Sequence, residues 1–230
     1  MASVLKYGNF GLKFFTGAEF VRLGEMAAEP SLPAYTIRLK FTEGVTPTFS
    51  KGTGVQVLSS PNIWDLTYNN TDWEYLLYEQ TELTEVLGAN TTGVTKMYGM
   101  FQYCTRLTTV ALFDTSTSLD TGTMFMGCSL LMDPPLFDTS NCIAMQSMFN
   151  GCTSLTAVPL YSTTNCKGIQ AMFRDCPNVQ SGALALYQQA SGQCVPPQTY
   201  FNCFTNCGSN TVTGAAELAQ IPVGWGGTMS

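Results

Sequence analysis

Residues 148–172 read MFNGCTSLTAVPLYSTTNCKGIQAM, starting on Met148-Phe149 and coming back to a methionine at Met172. The same Met-Phe-x-x-Cys signature stands at Met100-Phe101 to Cys104, Met124-Phe125 to Cys128 and Met172-Phe173 to Cys176, so successive cysteines lie 24 residues apart. A fixed period of roughly 20 to 29 residues on an apolar framework marks a repeat whose units cannot bury their own hydrophobic face and must stack on neighbours.

The framework continues after each cysteine. Three residues on stand Leu107, Leu131, Leu155 and Val179, and eight residues on stand Leu112, Leu136, Leu160 and Leu184. Val110, Pro134, Val158 and Gly182 lie between them, which approximates L-x-x-L-x-L, the strand-bearing half of a leucine-rich repeat. The expected fold class is therefore an α/β repeat. It is a leucine-rich-repeat solenoid of 24-residue units, with parallel strands and short helical returns, preceded by a small β module. Upstream, Leu83, Val86, Met97 and Met100 keep the slots, although Gln80 replaces the cysteine and Gly88 the third apolar residue. A weaker unit, with Leu76-Leu77 in the Met-Phe slot and Trp64 in the strand slot, starts the repeats near residue 58. Asn90, Asp114, Asp138 and Ser162 each open a polar turn whose side chains can hydrogen-bond backbone N–H groups and so start the return. In that return Met145, Met148 and Phe149, at i, i+3 and i+4, are expected to point inward from a short helix.

These residues resemble the BspA-like leucine-rich repeats of Bacteroidales and their phages, whose units are similar to MFxGCxSLTxVPLFDTSNVTNM. Residues 148–172 give the best copy and Pro135 to Asn141 supply PLFDTSN; the likeness covers about residues 58 to 210. Ser118-Leu119-Asp120-Thr121 and Cys166-Lys167-Gly168-Ile169 depart from the family's return segment. The resemblance implies surface recognition or adhesion. With SPNIWDLTYNNTDWEYLL and EVLGANTTGVTKM upstream, it implies a structural protein of a phage or prophage virion, assembled in the host cytoplasm. The alternatives are a purely structural capsid or tail decoration protein and a bacterial surface adhesin, the latter placed at the cell surface.

The flanks divide the rest of the chain. Residues 1–34 are expected to form a docking or oligomerisation arm that meets other virion subunits, so a homo-oligomer is within the expected partners. Residues 35–57 read as a small β module: Tyr35 to Phe41 alternates with period two, and Val55-Gln-Val-Leu is its expected partner strand. Residues 58–180 hold the repeats and 181–230 a C-terminal cap, with a helix from Gly182, a short helix at Ala215 to Gln220 and a frayed tail.

Composition limits the function classes. Hydrophobic residues make up 45% and charged residues 11%, so the chain should fold, and a net charge of −6 leaves no basic footprint for nucleic acid. The first ten residues carry Lys6 and glycine where a secretory signal needs an unbroken apolar run, and no stretch is long and apolar enough for membrane insertion. There is no histidine, and the nine cysteines follow the repeat rather than a disulfide or zinc pattern, so they read as buried structural residues. No metal and no cofactor is expected. Asp114 and Asp138 share a slot on adjacent units, but Asn90 and Ser162 hold the same slot, so turn capping accounts for all four and no catalytic residue is assigned.

The candidate binding surface is a strand-face stripe of Thr109, Phe113, Asp133, Phe137 and Tyr161. If Val110 and Leu112 face the core, alternation sends these residues outward, where aromatic faces suit bacterial surface glycan or protein. The competing reading has the chain turn at this slot and tuck the three rings inside.

Overall fold

The computed structural model describes residues 13–16, 19–22, 31–57, 60–193 and 199–229. The chain divides into two compact units, Met1–Leu32 and Pro33–Ser230. The first contains an antiparallel hairpin of β1 (Lys13–Thr16) and β2 (Glu19–Arg22), in register from Lys13 opposite Arg22 to Thr16 opposite Glu19. Apart from this hairpin and residues 31–34, the expected docking arm at 1–34 lies outside the described residues.

In the second unit, period-two alternation makes β3 (Thr36–Phe41): Ile37, Leu39 and Phe41 are buried, and Arg38 and Lys40 face the other way. Arg38 stands opposite Asp65 and pairs with both carboxylate oxygens at 2.8 and 2.9 Å; Lys40 stands opposite Glu85 at 2.6 Å. A one-residue slip would separate both pairs and expose the apolar face, so the register is set twice. The Val55 segment is not the direct partner of this strand. It forms β4 (Thr53–Gln56), which pairs with β5 (Ile63–Thr67), and β5 is what lies beside β3. On its other side β3 pairs with β6 (Leu83–Asn90), which carries the parallel two-residue β7 (Thr109–Val110). The result is a mixed five-stranded sheet in the order β4-β5-β3-β6-β7.

This sheet overturns the expected α/β leucine-rich-repeat solenoid with parallel strands and helical returns. Among the described residues the α-helices are α1 (Ala183–Gln193) and α2 (Val212–Leu218), both after the repeats. The returns cannot be helical because two slots in each are left-handed. Tyr75, Gly99, Thr123, Ser147 and Ala171 occupy one, at φ between 51° and 60°, and Glu79, Tyr103, Gly127, Gly151 and Asp175 the other, at 56° to 75°. The strand slots fail for a different reason. Pro134, Pro135 and Pro159 supply no N–H, and beyond β7 the ladder is reduced to isolated bridges.

The 24-residue period instead produces a stack of turn-rich rungs. Parallel bridges link Asp72, Lys96, Asp120, Ala144, Gly168 and Thr199 in succession. Backbone donors alternate their targets: Met97, Gly99, Phe101 and Tyr103 donate to carbonyls of the next rung, whereas Met100, Gln102 and Cys104 donate within their own turn. That alternation satisfies a backbone that forms neither helix nor long strand. Inside, Phe101, Phe125, Phe149 and Phe173 stack nearly parallel with centroids 5.2, 5.5 and 5.2 Å apart. Each repeat cysteine donates its thiol to a carbonyl of the preceding rung, as from Cys128 to Phe101 at 3.1 Å and Cys152 to Phe125 at 3.2 Å. Buried Thr115 and Thr139 do the same toward the following rung, bonding the carbonyls of Asp138 and Ser162 at 2.8 and 2.9 Å.

The far end of the stack is closed by the C-terminal residues. The Glu217 carboxylate of α2 accepts from the N–H groups of Gly182 and Leu184, where α1 begins, at 3.3 and 3.0 Å. The tail is not frayed: Trp225 is buried, stacks on Tyr200 at 4.4 Å, and Met229 donates back to the carbonyl of Ile221.

Candidate functional site: a tyrosine cluster on the turn face

The predicted stripe does not form a surface. Phe113, Phe137 and Tyr161 are buried, with Phe113 against Phe137 at 4.9 Å, Phe137 against Phe125 at 5.9 Å and Tyr161 stacked on Phe149 at 5.8 Å. Tyr161 donates its hydroxyl to the carbonyl of Pro135 at 2.9 Å, and burial pushes its pKa far up. Thr109 and Asp133 are exposed, but Asp133 is occupied with the Thr156 hydroxyl at 2.7 Å, and neither joins the rings. The inversion has a local cause. The N–H groups of Phe137 and Tyr161 bond the carbonyls two residues back, at Pro135 and Pro159, both at 3.0 Å. These are γ-turns centred on Leu136 and Leu160, and a γ-turn ends the alternation of an extended chain. The ring after it goes in and the leucine at its tip goes out.

Other chemistry-bearing residues are engaged in structure. Asp114 accepts from the N–H and hydroxyl of Ser116, and Asp138 from the N–H of Ser140, both as turn caps. The Ser140 hydroxyl and N–H hold the Asp138 carboxyl below its usual value. Burial pushes the Cys104 and Cys176 thiols up to about 12, the opposite of an activated nucleophile. Among the described residues no cluster of potential ligands could hold a metal ion.

What the turn face displays is tyrosine. Tyr98, Tyr75, Tyr78 and Tyr103 form a continuous chain of edge-to-face contacts with centroid steps of 5.4, 5.6 and 5.9 Å. Tyr75 and Tyr78 remain 41% and 39% exposed, and the other two are half-buried. Glycine one rung later makes the room. A Cβ on Gly99 would meet the Tyr75 ring at 2.6 Å, one on Gly127 the Tyr103 ring at 2.5 Å, and one on Gly122 the Tyr98 ring at 2.9 Å. Three of the four rings therefore lie against backbone that any larger residue would fill. The sequence carries this signal as Tyr75/Gly99, Tyr98/Gly122 and Tyr103/Gly127, each pair 24 residues apart, but only knowledge of which slots face outward makes it readable.

Two hollows share Tyr75 and Tyr78. One of about 480 Å³ is completed by Thr48, Phe49, Ser50, Lys51 and Gln80, and another of about 370 Å³ by Gln102. Lys51 is anchored on the carbonyl of Glu74, and Gln80 donates to the carbonyl of Thr48 at 3.1 Å, so the loop before β4 is tied to the first rung. Desolvation and the neighbouring Tyr98 raise the Tyr75 pKa, and a hydrogen bond with Glu79 raises that of Tyr78. Both rings therefore stay neutral at physiological pH.

Residues 71–186 match the family described as Mycoplasma protein of unknown function, DUF285. The chain belongs to that family. The DUF285 match begins at the first rung and ends inside α1, so it covers the four tyrosines and the stack up to the rung at Thr199, but not β3, β4 or β5. No curated protein and no solved structure matches the chain.

Proposed function

We propose that this DUF285 chain is a non-enzymatic recognition module whose tyrosine cluster binds bacterial surface glycan. The observation that carries the reading is the chain of four tyrosines laid on glycines beside two polar-rimmed hollows. A pyranose ring has an apolar C–H face that packs on an aromatic ring and hydroxyls that pair with amides and alcohols. Tyr75 and Tyr78 offer the first, and Gln80, Gln102, Ser50 and the tyrosine hydroxyls offer the second. Because the rings are fixed by packing on one another and on the next rung, little side-chain entropy is lost on binding.

The setting we propose is a phage or prophage virion, on the resemblance of the repeat sequence to BspA-like repeats of Bacteroidales and their phages; a bacterial cell surface is the alternative. The test is binding of the purified chain to Bacteroidales capsular polysaccharides, beside a Tyr75→Ala, Tyr78→Ala variant. Loss of about tenfold or more in affinity on a folded variant is the expected result. Equal binding by the variant would remove the tyrosine cluster as the site, and no binding by the native chain would remove the glycan.

A further inference from the structure

We propose that Leu112, Leu136 and Leu160 form the docking surface for a basic amphipathic helix of a partner protein, laid along the axis of the stack. This surface is separate from the tyrosine cluster and does not depend on the reading given for it. The three leucines occupy one slot on consecutive rungs and are 65%, 62% and 52% exposed. They cannot turn inward, because Phe113, Phe137 and Tyr161 already fill the space beneath them. Single exposed leucines are ordinary on a surface; three in register on a rigid scaffold form a continuous apolar ridge.

Spacing selects the shape of the occupant. The rings beneath the ridge, Phe113 and Phe137, lie 4.9 Å apart, and those of the neighbouring Phe101–Phe173 column 5.2 to 5.5 Å apart. An α-helix advances roughly 5.4 Å per turn, so a helix along the stack offers one side chain per rung and drifts by no more than about half an ångström at each. Same-face residues of a β-strand recur at about 6.6 Å, which loses register by more than an ångström at each rung.

Charge selects the sign. Asp114 and Asp138 border the ridge, lining with Leu112, Phe113, Thr115 and Leu136 a depression of about 350 Å³. Their turn hydrogen bonds fix the carboxylates in place on adjacent rungs. A helix that carries Lys or Arg one turn apart beside its leucines would set a cation on each. The net charge of −6 favours such a partner over a second copy of this chain. The ridge runs for three rungs, because the next residue in the slot, Leu184, is half-buried within α1.

The probe is a synthetic helical peptide with one leucine per turn flanked by lysines. It is compared with the same helix carrying glutamate for lysine and with an alternating Leu-Lys strand-former, each titrated against the full chain by fluorescence anisotropy. The Leu-Lys helix should bind at least about tenfold more tightly than either control, and Leu136→Ser should weaken it by a similar factor with an unchanged circular dichroism spectrum. Asp114→Asn with Asp138→Asn keeps the turn caps and should reduce both affinity and its salt dependence. Failure of the Leu-Lys helix to bind, or equal binding to the Leu136→Ser chain, overturns the proposal. So does self-association of the native chain that Leu136→Ser abolishes, since the occupant would then be a second copy.

Discussion

The strand Thr36–Phe41 and the rung segment 110–113 begin from the same kind of sequence and end with opposite rules for what is inside. In β3 the backbone is extended, so Ile37, Leu39 and Phe41 go in while Arg38 and Lys40 go out, and alternation predicts every position after the buried Thr36 at its start. In the rung, Val110 and Phe113 are buried three residues apart and Leu112 is thrust out. A hydrophobic pattern reports burial only through the backbone that carries it. Where a turn breaks the extended run, as the γ-turns do at Leu136 and Leu160 in the same slot, the turn geometry decides. Backbone hydrogen bonds join both regions, but the sheet adds charged cross-strand pairs, whereas the stack adds thiol and hydroxyl bonds from rung to rung.

The largest way to break the stack while sparing the sheet is Phe149→Ala. Phe149 stacks on Phe125, Phe173 and Tyr161, all buried, so its removal opens a cavity in the middle of the ring column. A loss of about 3–5 kcal/mol in denaturant unfolding is expected. A loss below about 1 kcal/mol would mean that the rungs hold together without their ring column. Next is Thr139→Val, which keeps shape but strands the carbonyl of Ser162, now bonded at 2.9 Å. The expected cost is about 1–3 kcal/mol, and it would show that the inter-rung hydroxyls carry stability of their own.

How much of this was legible follows from the same contrast. The period, the Met-Phe and Leu core slots, the caps at Asp114 and Asp138, the buried cysteines, β3 and the helix after Gly182 could all be read, because each rests on spacing or on one residue's own chemistry. The returns could not. Thr123, Ser147, Ala171 and Asp175 adopt positive φ although their side chains disfavour it, since inter-rung hydrogen bonds hold them there. Without that knowledge, i, i+3, i+4 spacing reads as helix, Leu112 as core and Phe113 as surface. The tyrosine cluster was missed for the same reason: its members lie on the face that a helical return would have arranged differently.

Gly127→Ala probes the link between those left-handed slots and the site. Gly127 sits at φ 74°, and its new methyl would press on the Tyr103 ring. Stability should fall by about 1 kcal/mol, and displacement of Tyr103 should weaken glycan binding in a variant that still folds. Unchanged binding would confine the site to Tyr75 and Tyr78.

The smallest effect concerns the acid limb of stability, and it separates the two regions by mechanism. Asp138 is a turn cap whose carboxyl is held below its usual value by the Ser140 hydroxyl and N–H. A carboxyl depressed on folding contributes stability that is present above its unfolded pKa, near 3.8, and is lost as pH falls through the lower folded value. Asp138→Asn keeps an oxygen to accept from Ser140 but removes the titration. The variant should therefore match the native chain closely in strong acid and be slightly less stable at neutral pH, in parallel urea titrations at the two pH values. Asn90 and Ser162 hold the equivalent slot on other rungs without any charge, so the turn itself does not need the carboxylate. If Asp138→Asn instead proves as destabilising as Thr139→Val, the charge is structural in that rung, and a slot tolerant of Asp, Asn and Ser would have to be explained by something other than turn capping.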